Sequence, residues 1–191
     1  MSARRQRQMC IRDRVIDCAN GVEAQTEKLM EVCRMRDTPV IVFINKMDRE
    51  GQDAFDLLDE IESKLKIKVR PMSWPIGIGA TFKGVYHMQK DELNLFDGNK
   101  TNIEKNVIKT KGIHDQALSD LIGEEATDIL KEEVELVDGV YDEFEREKYL
   151  EGKIAPVFFG SALNNFGVQE LLDSFIDISP IPQGRSTEKR T

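Results

Sequence analysis

An apolar run, Val40-Ile41-Val42-Phe43-Ile44, is followed at once by Asn45-Lys46-Met47-Asp48. Open α/β sheets bind ligands outside the carboxyl ends of their strands, so these polar side chains stand where a ligand would lie. The Asp48 carboxylate can accept two hydrogen bonds side by side, from the N1–H and the exocyclic NH2 of a guanine. Adenine offers no such donor pair and would leave a desolvated carboxylate unpaired, a penalty that can discriminate by several orders of magnitude. Lys46 can lay its alkyl stem along a purine face, and the Asn45 amide can tie this loop to its neighbours.

A second loop has the same relation to a second apolar run. Pro156-Val157-Phe158-Phe159 and Gly160 lead into Ser161-Ala162-Leu163. In a doubly wound sheet that loop lies beside Asn45, Lys46 and Asp48, where the Ala162 backbone N–H can donate to guanine O6. Two such loops, in this order after two buried strands, read as a guanine-recognition pair, whereas either alone is an ordinary strand-to-helix turn.

The remaining chemistry is sparse. No G-x-x-x-x-G-K-[ST] occurs in the 191 residues, so no loop is identified that would wrap phosphates or present a phosphate lysine and a magnesium hydroxyl. Asp48-Arg49-Glu50-Gly51 matches D-x-x-G by letters, but it overlaps the N-K-x-D motif and follows the wrong strand, and it reads as a decoy. Gly77-Ile78-Gly79 is followed by Phe82 where a dinucleotide fingerprint needs glycine, so it reads as a turn. Cys10, Cys18 and Cys33 form no C-x-x-C pair and read as unligated thiols. His87 and His114 lack partners at ligand spacing, so no metal site and no catalytic residue are expected.

Composition narrows the class. The chain has 35 acidic and 27 basic residues and a formal charge of −8, which argues against coating nucleic acid non-specifically or reading its sequence. Mean hydropathy is −0.43, and no apolar run is long enough to span a membrane. Charge is uneven: five arginines lie within Met1–Arg14, and twelve acidic residues against three basic ones within Asp120–Lys148. In the acidic stretch Leu118, Leu121, Ile122, Ile129, Leu130, Val134 and Val137 recur at helical spacing, which predicts an amphipathic helix.

The elements that must hold the two loops follow from periodicity. Val40–Ile44 and Pro156–Phe159 predict parallel strands buried on both faces, and Val15-Ile16-Asp17 a third, ended by Asn20-Gly21. Thr26, Leu29, Met30 and Cys33 make the stripe of a crossover helix, as do Phe55, Leu58, Ile61 and Leu65, and later Val168, Leu171, Leu172 and Phe175. From Val69 to Lys111 the pattern changes to short strands, Trp74–Gly77, Gly84–Met88 and Asn106–Lys109, with glycine and asparagine turns. The expected fold class is α/β, a doubly wound sheet with an inserted α+β subdomain, and the resemblance of its two guanine loops to those of translational GTPases implies an incomplete sheet of the P-loop GTPase type. The expected division is a basic leader at 1–14, foreign or disordered, then 15–68 as the first part of the nucleotide domain. The insert follows at 69–152, the last part of that domain at 153–179, and a linker to a following domain at 180–191.

Asn45-Lys46-Met47-Asp48, Ser161-Ala162-Leu163 and Val15–Glu23 resemble the guanine motifs and preceding strand of translational GTPases. Trp74-Pro75-Ile76-Gly77, Phe82-Lys83-Gly84-Val85-Tyr86-His87 and Pro156–Leu163 resemble the bacterial peptide chain release factor 3 family from about Val15 to Thr191, with elongation factor G as near neighbour. The resemblance implies a cytoplasmic GTPase that acts on the ribosome and drives class I release factors from it. It implies GTP or GDP as ligand, held here by the guanine half of the site only, with Mg2+ expected only in the intact protein. Since the phosphate motifs are missing, this chain alone is expected to be inactive in hydrolysis. The competing readings are an elongation factor G-like fragment and a non-hydrolysing protein-binding module with a vestigial guanine site.

Overall fold

The computed structural model describes residues 12–96 and 107–179. Its first sheet is parallel throughout. The strands are β1 (Arg12–Asp17), β2 (Val40–Asn45), β3 (Lys68–Pro71) and, far along the chain, β8 (Ile154–Phe159), in the order β1-β2-β8-β3. The register pairs Ile16 with Ile44 and Asp17 with Asn45, while Ile44 pairs with Phe159 on the other side. The carboxyl ends of β1, β2 and β8 are therefore level, and the loops that leave them are neighbours.

Alternation along β2 explains the layers. Val40, Val42 and Ile44 face one cluster with Met30 and Cys33 of α1 (Ala24–Arg34) and with Leu57, Leu58, Ile61 and Leu65 of α2 (Ala54–Leu65). Ile41 and Phe43 face a second cluster with Tyr149, Phe158, Phe175 and Ile178. Successive strand residues point to opposite faces, so a strand covered on both is apolar along its buried length, as β8 is throughout and β2 is up to Ile44. The second cover consists of α5 (Arg146–Leu150) and α6 (Val168–Ile178). This is the doubly wound α/β arrangement expected from the sequence.

The second sheet is antiparallel, β4 (Ser73–Ile76), β5 (Gly84–His87), β6 (Glu92–Leu95) and β7 (Val107–Lys109) in sequence order. It is followed by α3 (Gln116–Ile122) and α4 (Glu124–Val140), the latter burying Thr127, Leu130, Val134 and Val137. Trp74 joins the two sheets. It is fully buried, its ring centroid lies 4.7 Å from Phe55 and 5.6 Å from Phe159, and its Nε1 donates to Glu133 at 2.7 Å.

Several boundaries differ from the sequence expectation. Arg12–Arg14, assigned to the leader, form the first half of β1, where Arg14 is buried and donates to Cys33 Sγ at 2.9 Å and to the Leu29 carbonyl at 3.3 Å. A buried guanidinium with partners substitutes for the apolar residue that periodicity looks for. Val69–Pro71, assigned to the insert, pair with Ala155–Val157 and extend the first sheet. The acidic stretch is three helices rather than one, because Gly123 at φ 88° separates α3 from α4 and the chain is extended after Tyr141. Strand β6 has no counterpart in the sequence reading. The expectations for Met1–Ile11, Asn106 and the linker at 180–191 lie outside the described residues.

Candidate functional site

The two loops meet at the carboxyl end of the first sheet. The backbone first zips them together: Gly160 N donates to the Ile44 carbonyl at 3.0 Å, and Met47 N donates to the Gly160 carbonyl at 3.1 Å. The Asn45 side-chain carbonyl then accepts from Ala162 N at 2.8 Å and from Lys46 N at 2.8 Å. Asn45 thus ties its loop to its neighbour, as its residue type suggests. The N–H expected to meet guanine O6 is the one engaged by this asparagine.

Lys46 is left-handed, at φ 70°. That conformation is costly for a lysine and persists because its surroundings hold it. Three groups do so here. Asn45 Oδ1 accepts from its N–H, the Cys18 thiol donates to its carbonyl at 3.1 Å, and its Nζ is ion-paired with the Asp17 carboxylate. The Lys46 hydrogen bond holds the Asp17 carboxyl below the usual carboxylate range, with Ala19 N adding a second donor. Burial pushes the Cys18 thiol up, which keeps it protonated and able to donate. In the sequence Asp17 reads only as the end of a strand and Cys18 only as an unligated thiol, both within the Val15–Glu23 segment, and neither is assigned a role in the site.

Asp48 is half-buried, and its carboxylate accepts no hydrogen bond among the described residues. Arg49 N closes the turn back to the Lys46 carbonyl at 2.8 Å. Gly51 lies against Cys18, where a Cβ would stand 2.6 Å from Sγ and 2.8 Å from the Cys18 carbonyl oxygen. On the other loop Ser161 is buried, Ala162 and Leu163 are exposed, and Ser161 Oγ accepts from Asn164 Nδ2 at 2.9 Å. All six sequence-singled residues, Asn45, Lys46, Asp48, Ser161, Ala162 and Leu163, lie on these two abutting loops.

Residues 4–181 match the family model described as the elongation factor Tu GTP-binding domain. The chain belongs to that family. The translational GTPases it comprises bind guanine nucleotides, and the base half of such a ligand fits these residues, because a half-buried carboxylate without a partner is the acceptor a guanine edge requires. Among the described residues no group of three or more His, Cys, Asp or Glu side chains is placed to hold a metal ion. Among the described residues of this family member, no helix is long and apolar enough to cross a membrane. Cys18 and Cys33 are buried free thiols. His87 is buried in β5 and His114 is exposed, 3.9 Å from Glu135.

Proposed function

We propose that this chain reads the base of GTP or GDP, and that it is part of a translational GTPase that recycles class I release factors from the ribosome. The observation that carries the guanine reading is the Asn45–Ala162 bond that joins the two loops, together with an Asp48 carboxylate that has no hydrogen-bond partner among the described residues. Asp48 takes the N1–H and exocyclic amine of guanine. Lys46 covers one purine face with its stem while Asp17 fixes its ammonium. Guanine O6 accepts from the Ala162 N–H as well, sharing it with Asn45 Oδ1 in a three-centre bond, with Ser161 and Leu163 framing that amide.

The release-factor reading rests on the wording of the insert, Trp74-Pro75-Ile76-Gly77 and Phe82-Lys83-Gly84-Val85-Tyr86-His87. An elongation factor G-like protein has the same guanine loops and is equally compatible with the family match. In either case the action is on the ribosome in the cytoplasm. Phosphoryl transfer rests on phosphate-cradling amides, a metal ion and a positioned water. With no P-loop sequence among its 191 residues, this chain alone hydrolyses GTP negligibly.

Calorimetric titration of the 191-residue chain with GDP, with ADP as control, tests the reading. Saturable GDP binding with ADP at least a hundredfold weaker supports it. Equal or absent binding of both favours the protein-binding module with a vestigial site, and multiple-turnover phosphate release would refute the prediction of inactivity.

A further inference from the structure

A single short turn of the insert touches both guanine loops. Gly79–Thr81 form one 3-10 turn between β4 and β5. At its start, Gly79 N donates to the carbonyl of Met47 at 2.9 Å, inside the Asn45–Asp48 loop. Gly79 is at φ 60°, and a Cβ there would stand 3.2 Å from Glu50 N, so the approach is close enough to favour glycine. At the end of the same turn Phe82, 7% exposed, meets Phe166 edge to face, with centroids 5.6 Å apart at 90°. Phe96, which follows β6, completes a triangle at 5.2 Å from Phe82 and 5.3 Å from Phe166.

Phe166 is the residue that closes the second loop. Ser161 N donates to its carbonyl and its own N–H donates to the Ser161 carbonyl, both at 2.9 Å, an isolated antiparallel bridge. Ala162, whose N–H is held by Asn45, is the next residue. The path from insert to base therefore has two branches, Gly79 to Met47 and Phe82 to Phe166 to Ser161–Ala162. Asn94 of β6 adds a further tie, donating to Glu170 of α6 at 2.6 Å.

We infer that the Gly79–Phe82 turn is a positioning element that holds the two base-reading loops at their mutual spacing, so that displacement of the insert changes guanine-nucleotide affinity. This rests on the guanine reading of the loops. Edge-to-face aromatic pairs add to the burial of their rings and fix relative orientation, which is what a spacing device requires. The Phe82 and Phe166 rings are residues of positioning, since neither belongs to the loop residues that would meet the base.

The test compares the 191-residue chain with Phe82→Ala and with Leu130→Ala, a core truncation in α4 that lowers stability while keeping both the Phe82 and the Phe166 ring. Amide hydrogen exchange at Ser161 and Phe166 is read first, without nucleotide. Phe82→Ala is expected to speed exchange there by about tenfold relative to Leu130→Ala under conditions matched for distance below Tm. The dissociation constants for GDP and for the 2-aminopurine nucleoside diphosphate, which lacks O6, are read second. Phe82→Ala is expected to weaken GDP about tenfold and to narrow its advantage over the O6-lacking analogue, while GDP over IDP, set by Asp48, holds. Phe82→Tyr, which keeps the ring, restores both readouts. Equal exchange and equal GDP affinity in Phe82→Ala and Leu130→Ala would overturn the inference. Should the wild-type chain bind no GDP, the guanine reading fails and the exchange comparison alone decides the positioning role. Should Phe82→Ala not fold, Phe82→Leu replaces it, and unchanged exchange there is equally fatal.

Discussion

The side-chain oxygen of Asn45 and the backbone N–H of Ala162 are 2.8 Å apart across 117 residues of sequence. That oxygen also accepts from Lys46 N, so one atom holds a left-handed lysine and the turn of a second loop at once. Replacing Asn45 by alanine frees two exposed or half-exposed N–H groups that water can satisfy, so the cost in stability is modest, about 1 kcal/mol. The loops lose their tie, and the expected outcome is a loss of GDP affinity of about ten- to a hundredfold with a small change in melting temperature. Calorimetry paired with thermal denaturation checks it. A large drop in Tm with unchanged affinity would show the bond to be purely structural.

Asp48 offers a cleaner exchange of specificity. An asparagine at this position presents one donor and one acceptor where the aspartate presents two acceptors. Xanthine carries a carbonyl in place of the guanine exocyclic amine, so Asp48→Asn is expected to weaken GDP by about a hundredfold or more and to improve binding of xanthosine diphosphate. Competition of both nucleotides against a fluorescent GDP analogue measures the two affinities. An unaltered preference for GDP would remove Asp48 from the base-reading role.

The glycine before Ser161 is fixed by space. A Cβ on residue 160 would stand 2.3 Å from the Phe166 carbonyl oxygen and 2.9 Å from Phe43 Cζ, and a backbone atom cannot step aside as a side chain can. Gly160→Ala is therefore expected to destabilise by about 2–4 kcal/mol and to weaken nucleotide binding, because Gly160 also bonds Ile44 and Met47. Denaturant unfolding followed by the fluorescence of Trp74 gives the stability, and a loss under 0.5 kcal/mol would contradict the packing argument.

What was legible in the sequence was local. Strands β2 and β8 announce themselves because a strand covered on both faces has no polar positions, and the two loops because their chemistry sits in three or four consecutive residues. Strand β3 did not, since Lys68, Arg70 and Pro71 interrupt any apolar pattern, although Arg70 is buried against Asp138 and the Tyr141 carbonyl. Strand β6 is four residues long with half-buried neighbours, too short for alternation to register. The site residues that were missed act through distant partners. Asp17 matters through Lys46, Cys18 through the Lys46 carbonyl, and Phe166 through Phe82 and Phe96. Such pairs are set by register between strands and by an insert folding back, and no spacing along the chain encodes them.

His87 makes the fold acid-sensitive in a defined window. The ring is 2% exposed, lies 6.4 Å from the Phe158 ring between centroids, and neither nitrogen has a hydrogen-bond partner among the described residues. Burial first, and then the nearby Lys90 charge, push its pKa from 6.5 down to about 4, against a smaller opposing pull from Glu92. The unfolded chain thus binds a proton that the folded chain refuses. The stability linked to His87 is fully present above pH 6.5 and is lost progressively as pH falls towards 4, by roughly 3 kcal/mol in all. Asp17, whose carboxyl Lys46 holds low, surrenders its contribution only at more acidic pH, so the two effects separate. His87→Leu is expected to flatten the slope of stability against pH in this window. At pH 7 it should be neutral or slightly stabilising, since it removes two buried polar atoms without partners. Chemical denaturation at pH 7, 5.5 and 4.5 measures both effects, and an unchanged slope in the variant would assign the acid sensitivity to another group.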